Sequence, residues 1–291
     1  MYADDTQLHQ SAHPSQFNQL ANTIQHTVAK VKSWMTDNKL KMNDDKTEVI
    51  PISTAQKLKT LPTNSLTLVS GTNIEFSKSA KNLGVHLDRQ LCMEAHVNNL
   101  CKSIFLELRR ISHIRSFLSV DNTKALMSAF ILSRMDYCNS LLVGLPNGLL
   151  DRIQRAQNCA ARIVLKQRKY DHAKPMLRQL HWLPIRARIE YKIAILCYRC
   201  LHGLAPAYLS DLLAVYTPTR SLRSANEGVL VVPRVRLETF GKRSFASAAP
   251  SVWNALPQTL RDCQTLTSFK CSLKTYLFQR HLGDNELAWL G

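Results

Sequence analysis

Gly148-Leu149-Leu150-Asp151-Arg152-Ile153-Gln154-Arg155-Ala156-Gln157-Asn158-Cys159-Ala160-Ala161-Arg162-Ile163-Val164-Leu165-Lys166 decides how most of this chain folds. Leu149, Ile153, Ala156, Ala160 and Ile163 recur at steps of three and four, the spacing of one apolar helix face. Arg152, Arg155, Arg162 and Lys166 form a separate stripe, which Arg168 and Lys169 extend. Cations spaced this way can follow a phosphate backbone with salt-sensitive affinity. The other reading is a solvated basic face. The run Gly144-Leu145-Pro146-Asn147-Gly148 is a strong break before the helix.

The same period continues on both sides. It predicts helices over 94–117, 122–143, 184–202, 205–214 and 266–281, with Asp121-Asn122 and Asp171 as N-cap positions. In 184–202, Ile185, Ile189, Ile193, Leu196 and Cys200 face a core, while Arg188, Lys192 and Arg199 point elsewhere. Thr217 to Pro250 reads as loops and short strands, carrying Arg220, Arg223, Arg234, Arg236, Lys242 and Arg243 as flexible phosphate contacts. Before residue 94 the pattern changes. Phe17, Leu20, Ile24, Val28, Val31 and Trp34 make one long amphipathic helix, and β-type runs follow at 47–52, 65–69, 73–76 and 82–87. The fold class is therefore α+β, mainly α. The divisions fall at 1–93, 94–170 and 171–291.

The first residues are Met1-Tyr2-Ala3-Asp4-Asp5-Thr6-Gln7-Leu8. Paired carboxylates at a tight turn can hold divalent cations, though such pairs also occur on ordinary surface turns. Further on stand Trp34 with Asn38-Lys39-Leu40-Lys41-Met42-Asn43 and Lys46-Thr47-Glu48. Lys81-Asn82-Leu83-Gly84-Val85 with Leu87-Asp88 comes next, then Tyr137-Cys138-Asn139-Ser140-Leu141-Leu142 with Gly144-Leu145-Pro146. Leu180-His181-Trp182-Leu183-Pro184-Ile185 follows, and Ala249-Pro250, Trp253-Asn254 and Leu256-Pro257 close the series. In this order the motifs resemble the reverse transcriptase of non-LTR, LINE-type retrotransposons of the jockey-like branch, from Tyr2 to about Phe278. They correspond to its motifs C, D and E, its thumb and its C-terminal region.

The resemblance implies a truncated right-hand palm remnant over 1–93, a helical thumb over 94–170 and a helical, loop-rich C-terminal region over 171–291. It implies RNA-directed DNA polymerase ancestry, with an RNA template, a DNA primer, deoxynucleotides and Mg²⁺. Asp4 would be a metal ligand that Asp5 assists, and Tyr2 would approach the primer terminus. Lys46 would protonate the departing pyrophosphate or contact phosphate; its other reading is an ordinary exposed charge. Leu83-Gly84-Val85 would approach the primer strand, and a plain β-turn is the competing reading. Motifs A and B and the fingers have no counterpart in the sequence, so the expectation is that the chain alone is inactive. The alternative is a non-catalytic basic nucleic-acid-binding protein or a retroelement relic.

Composition agrees with a polyanion partner. The formal net charge is +17, and nearly all of the excess lies between Lys102 and Arg243. The 8 cysteines sit in helical patterns and read as reduced, mostly buried thiols of a nuclear or cytoplasmic protein. Cys197-x-x-Cys200 with His202 resembles half a zinc site, but no second pair stands at ligand spacing. No apolar run suggests a membrane span. Trp182 reads as core, with base stacking as the alternative; His181 reads as packing or capping.

Overall fold

The computed structural model describes residues 6–68, 71–217, 228–237 and 239–283. The chain divides into two compact units, Met1–His96 and Val97–Gly291. The described residues are mainly helical with two small antiparallel sheets.

In the first unit, α1 (Phe17–Asp37) follows a 3-10 turn that Pro14 opens. Phe17, Ala21, Ile24 and Val28 lie against Leu66, Leu68, Ile74 and Phe76, joined by Val49 and Leu61. That cluster is the core of this unit, and each large apolar side chain it buries is worth about 1.5–3 kcal/mol. The far end of the expected stripe does not join it: Trp34 is 57% exposed. After the short helix α2 (Ala55–Lys59), β1 (Ser65–Thr67) pairs with β2 (Asn73–Glu75), Leu66 opposite Ile74. The run 47–52 contributes only a single parallel bridge, Val49 to Phe76. The expected single strand over 82–87 is instead a hairpin. Here β3 (Ser79–Asn82) turns back into β4 (Val85–Asp88), because Leu83 and Gly84 both take positive φ.

The second unit begins within α3 (Glu94–Ile114), which a 3-10 turn extends to Phe117. The expected helix over 122–143 starts earlier and ends sooner. Ser119, not Asp121 or Asn122, accepts the capping bond from Asn122 N. α4 (Val120–Met127) passes through one π turn at Ser128–Leu132 into α5 (Ser133–Asp136). There Cys138 adopts a left-handed conformation and breaks it. α6 (Asn147–Leu165), α7 (Ala173–Gln179), α8 (Ile185–Leu201) and α9 (Ala207–Ser210) follow. α10 (Phe245–Asn254), α11 (Gln258–Arg261) and α12 (Leu266–Leu282) complete the unit.

α8 is the central helix, packed against α10 and α12 on one side and α6 on another. Tyr198 stacks on Phe269 at 4.6 Å between ring centroids, and its hydroxyl donates to Cys263 O at 3.0 Å. Trp253 stands beside Phe269, ring centroids 5.8 Å apart, and Ile193, Leu273 and Leu277 are also buried in this unit. The first part of α10 falls in the stretch to Pro250 that was expected to be loops and short strands, and Pro250 lies inside the helix. It forms nonetheless, because Ala248, Ala249, Pro250 and Trp253 are all buried there.

Candidate nucleic-acid interface

Tyr2, Asp4 and Asp5, the expected catalytic and Mg²⁺-holding turn, lie outside the described residues. The next residues are placed. Gln7 and Asn82 exchange side-chain amide hydrogen bonds, Asn82 Nδ2 donating to Gln7 Oε1 at 3.1 Å. Asn82 is the last residue of β3, and Leu83 and Gly84 form the two-residue loop after it. Positive φ at both positions, 44° and 83°, makes this a type I′ turn, whose twist matches that of the flanking strands. Of the two readings of Gly84, the geometry is the hairpin turn. Leu83 is unusual at such a position, which favours asparagine or glycine, and its side chain is 42% exposed at the tip. Val85 is buried beneath the turn.

The hairpin runs into an organised bend. The Asp88 carboxylate accepts backbone N–H bonds from Gln90, Cys92 and Met93 at 3.0, 2.9 and 2.7 Å. This accounts structurally for the aspartate of the Leu87-Asp88 pair. Lys46 ends a 3-10 turn, Asp44–Lys46, and its side chain is exposed. Its neighbour Asp44 is held by Lys32 at 2.7 Å.

The cations of α6 and α8 divide by their contacts. Arg152 donates to Asn98 Oδ1 on α3 at 2.7 Å. Arg162 donates to Asp171 O at 2.8 Å and folds the following turn back on the helix. Arg188 donates to Leu183 O at 2.9 Å and to Asp136 Oδ2 at 2.6 Å. Arg199 donates to Leu204 O at 3.0 Å. These guanidiniums brace the fold. Arg155, Lys166 and Lys192 are exposed, as are Arg168 and Lys169 in the turn after α6. Arg220 and Arg223 lie outside the described residues. Arg234 and Arg236 are exposed, while Arg243 donates to Val143 O at 3.1 Å and packs over Gly144.

α6 buries Leu150, Ile153, Ala156, Gln157, Ala160, Ala161 and Val164, so its inner face is rotated from the expected one and includes a glutamine. Gln157 can be buried because its amide donates to Leu183 O at 2.9 Å, while Gln154 Oε1 accepts from Ile185 N at 2.9 Å. These bonds clamp the entry to α8. Trp182 is buried there, which favours its core reading. His181 stands beside Phe278, ring centroids 5.7 Å apart. Asp171 caps no helix; its carboxylate accepts from Arg168 N at 2.7 Å and closes the 168–171 turn.

Cys197 and Cys200 are buried on α8, and burial pushes both thiols up, so neither is a ready thiolate. Among the described residues no group of three His, Cys, Asp or Glu side chains could hold a metal ion.

Two features escaped the sequence reading. Arg115 is buried and donates to Leu118 O, Ile163 O and Val164 O at 2.7, 2.9 and 2.8 Å, capping the C-terminus of α6. Phe117 and Tyr170 are each 87% exposed, more than any other large apolar side chain among the described residues. Nothing in the helical period singles out either aromatic, because both stand in turns.

No protein-family profile, curated protein sequence or solved structure matches this chain.

Proposed function

We propose that the chain is part of a LINE-type RNA-directed DNA polymerase, its first unit deriving from the palm and its second from the thumb and C-terminal region. The observation that carries this reading is the Gln7–Asn82 amide pair. A primer 3′-end must reach the catalytic metals while the strand just behind it is held. The acidic turn and the gripping hairpin therefore have to be neighbours. Gln7 stands two residues after Asp5, and Asn82 stands one residue before Leu83. Their contact joins the segment that follows the acidic pair in sequence to the hairpin, within one unit, and that supports the reading. An exposed leucine in a left-handed turn position is costly for stability, and such strain collects where a function requires it.

The test is photo-crosslinking from a primer–template whose primer carries a photoreactive 3′-terminal nucleotide. Adducts on residues 82–85 are expected. A chain that binds the duplex but crosslinks only elsewhere overturns the reading. The second reading, a non-catalytic nucleic-acid-binding protein, is favoured by the exposed cations at the end of α6. They lie in the second unit and can hold phosphate without the aspartates.

A further inference from the structure

The last turn of α6 is gripped from two directions. From the N-terminal side, Arg115 reaches Ile163 O and Val164 O, so the 3-10 turn Arg115–Phe117 is fastened beside it. From the C-terminal side, Lys166 takes a left-handed conformation and ends the helix, and the chain loops back until Arg162 holds Asp171 O. Each loop presents one aromatic to solvent, Phe117 on the first and Tyr170 on the second. The run from Lys166 to Tyr170 carries three exposed cations, Lys166, Arg168 and Lys169. The Lys169 ammonium stands 5.7 Å from the Tyr170 ring centroid. The one carboxylate in the turn, Asp171, is occupied by Arg168 N.

We infer that this end of α6 is a stacking platform for an unpaired nucleic-acid strand, with Phe117 and Tyr170 each receiving a base and Lys166, Arg168 and Lys169 receiving the phosphates between. The inference rests on the nucleic-acid-binding reading above and narrows it to a single strand. Solvent-facing rings next to uncompensated cations match what a single strand offers, namely π-faces and regularly spaced negative charge. In a paired duplex the bases are already stacked and the rings have nothing to receive. An anionic membrane surface is the competing occupant. It is served by a continuous amphipathic helix lying in the interface, whereas these aromatics stand on two short turns pinned by hydrogen bonds.

The experiment measures binding of the full chain to a fluorescent single-stranded oligo(U), to a hairpin duplex RNA and to vesicles containing phosphatidylserine, across a salt series. The variants are Phe117→Ala with Tyr170→Ala, and Lys166→Ala with Arg168→Ala and Lys169→Ala. The aromatic pair should lose at least about tenfold in oligo(U) affinity with an unchanged salt slope and unchanged duplex binding. Tyr170→Phe should keep wild-type affinity. The triple cation variant should weaken both RNAs and flatten the salt slope. Thermal midpoints should stay unchanged, since all five side chains are exposed. Wild-type protein that binds neither RNA defeats the nucleic-acid reading itself. Wild-type protein that binds oligo(U) no more tightly than the aromatic variant defeats the platform alone. Equal losses on duplex and single strand, or vesicle binding that the aromatic variant abolishes, also overturn the platform.

Discussion

The Arg115 guanidinium donates to the Val164 carbonyl at 2.8 Å, across 49 positions of sequence. With its bonds to Ile163 O and Leu118 O it ties the last turn of α6 to the turn after α3, and it places a positive charge at the negative end of the helix dipole. Arg115→Met keeps much of the stem and removes all three bonds. It should cost roughly 2–4 kcal/mol, because the carbonyls are left partly desolvated. Arg155→Met, on an exposed side chain, should change stability by no more than about 0.5 kcal/mol. Urea denaturation of the two variants reads the difference, and equal midpoints would remove Arg115 from its capping role.

The α6 and α8 cations should separate into two phenotypes. Arg162→Ala and Arg188→Ala should lower the thermal midpoint, since each breaks hydrogen bonds to backbone carbonyls. Arg155→Ala, Lys166→Ala and Lys192→Ala should leave the midpoint alone. Each of these three that touches phosphate should reduce the slope of log K against log salt by about one unit. A stable Arg155→Ala protein with wild-type affinity and slope would make that residue a solvated surface charge.

Local periodicity carried the sequence reading as far as local forces determine structure. α6 and α8 were legible to within a residue at each end, because their apolar spacing is uninterrupted. α10 was not, because Pro250 argues against a helix locally and only burial against α8 overrides it. The Asn82–Leu87 run was misread because its β-prone residues hide a turn in which leucine occupies a position glycine prefers. The expected basic stripe was only partly a surface feature. Arg162 points back to Asp171 and Arg188 to Asp136, and neither partner can be inferred from spacing along one helix. Phe117 and Tyr170 were invisible for the opposite reason, since exposure of a turn residue depends on tertiary contacts and not on a period.

His96 should make stability fall in mild acid. It is buried at the start of α3, and burial, then the neighbouring His86 on β4, lowers its pKa from the usual 6.5. The native state thus holds fewer protons on this group than the unfolded chain does. Its contribution is complete above about 6.5, the unfolded value, and is lost as pH falls from there toward the depressed native value. His96→Gln should flatten the stability curve over that window in urea melts at successive pH values. An unchanged slope would assign the acid sensitivity to other groups.

Leu83 is expected to trade stability for position. A non-glycine residue other than asparagine or aspartate in the left-handed region costs roughly 1–2 kcal/mol. Leu83→Asn should therefore raise stability by about 1 kcal/mol. The same variant should weaken crosslinking of a primer 3′-end to residues 82–85 if the exposed leucine supports the strand. A Leu83→Asn protein that is more stable and crosslinks as well as wild type would leave the leucine without a role at the hairpin tip.

The 291-residue chain by itself should show no Mg²⁺-dependent primer extension. In-line transfer by two metal ions requires carboxylates converging from separate strands onto both ions. From the sequence, that role is expected of one acid pair, Asp4-Asp5, and Lys46 is expected to supply a proton to pyrophosphate. Oligo(dT) on a poly(A) template with deoxythymidine triphosphate is the direct assay. Incorporation at background, alongside retained binding of the same primer–template, fits a polymerase segment that holds nucleic acid without the complete metal site. Incorporation that disappears in Asp4→Ala would mean that Asp4 does ligate a catalytic metal here. The second carboxylate would then have to come from the later chain, and alanine substitution of each remaining acidic residue of the first unit would identify it.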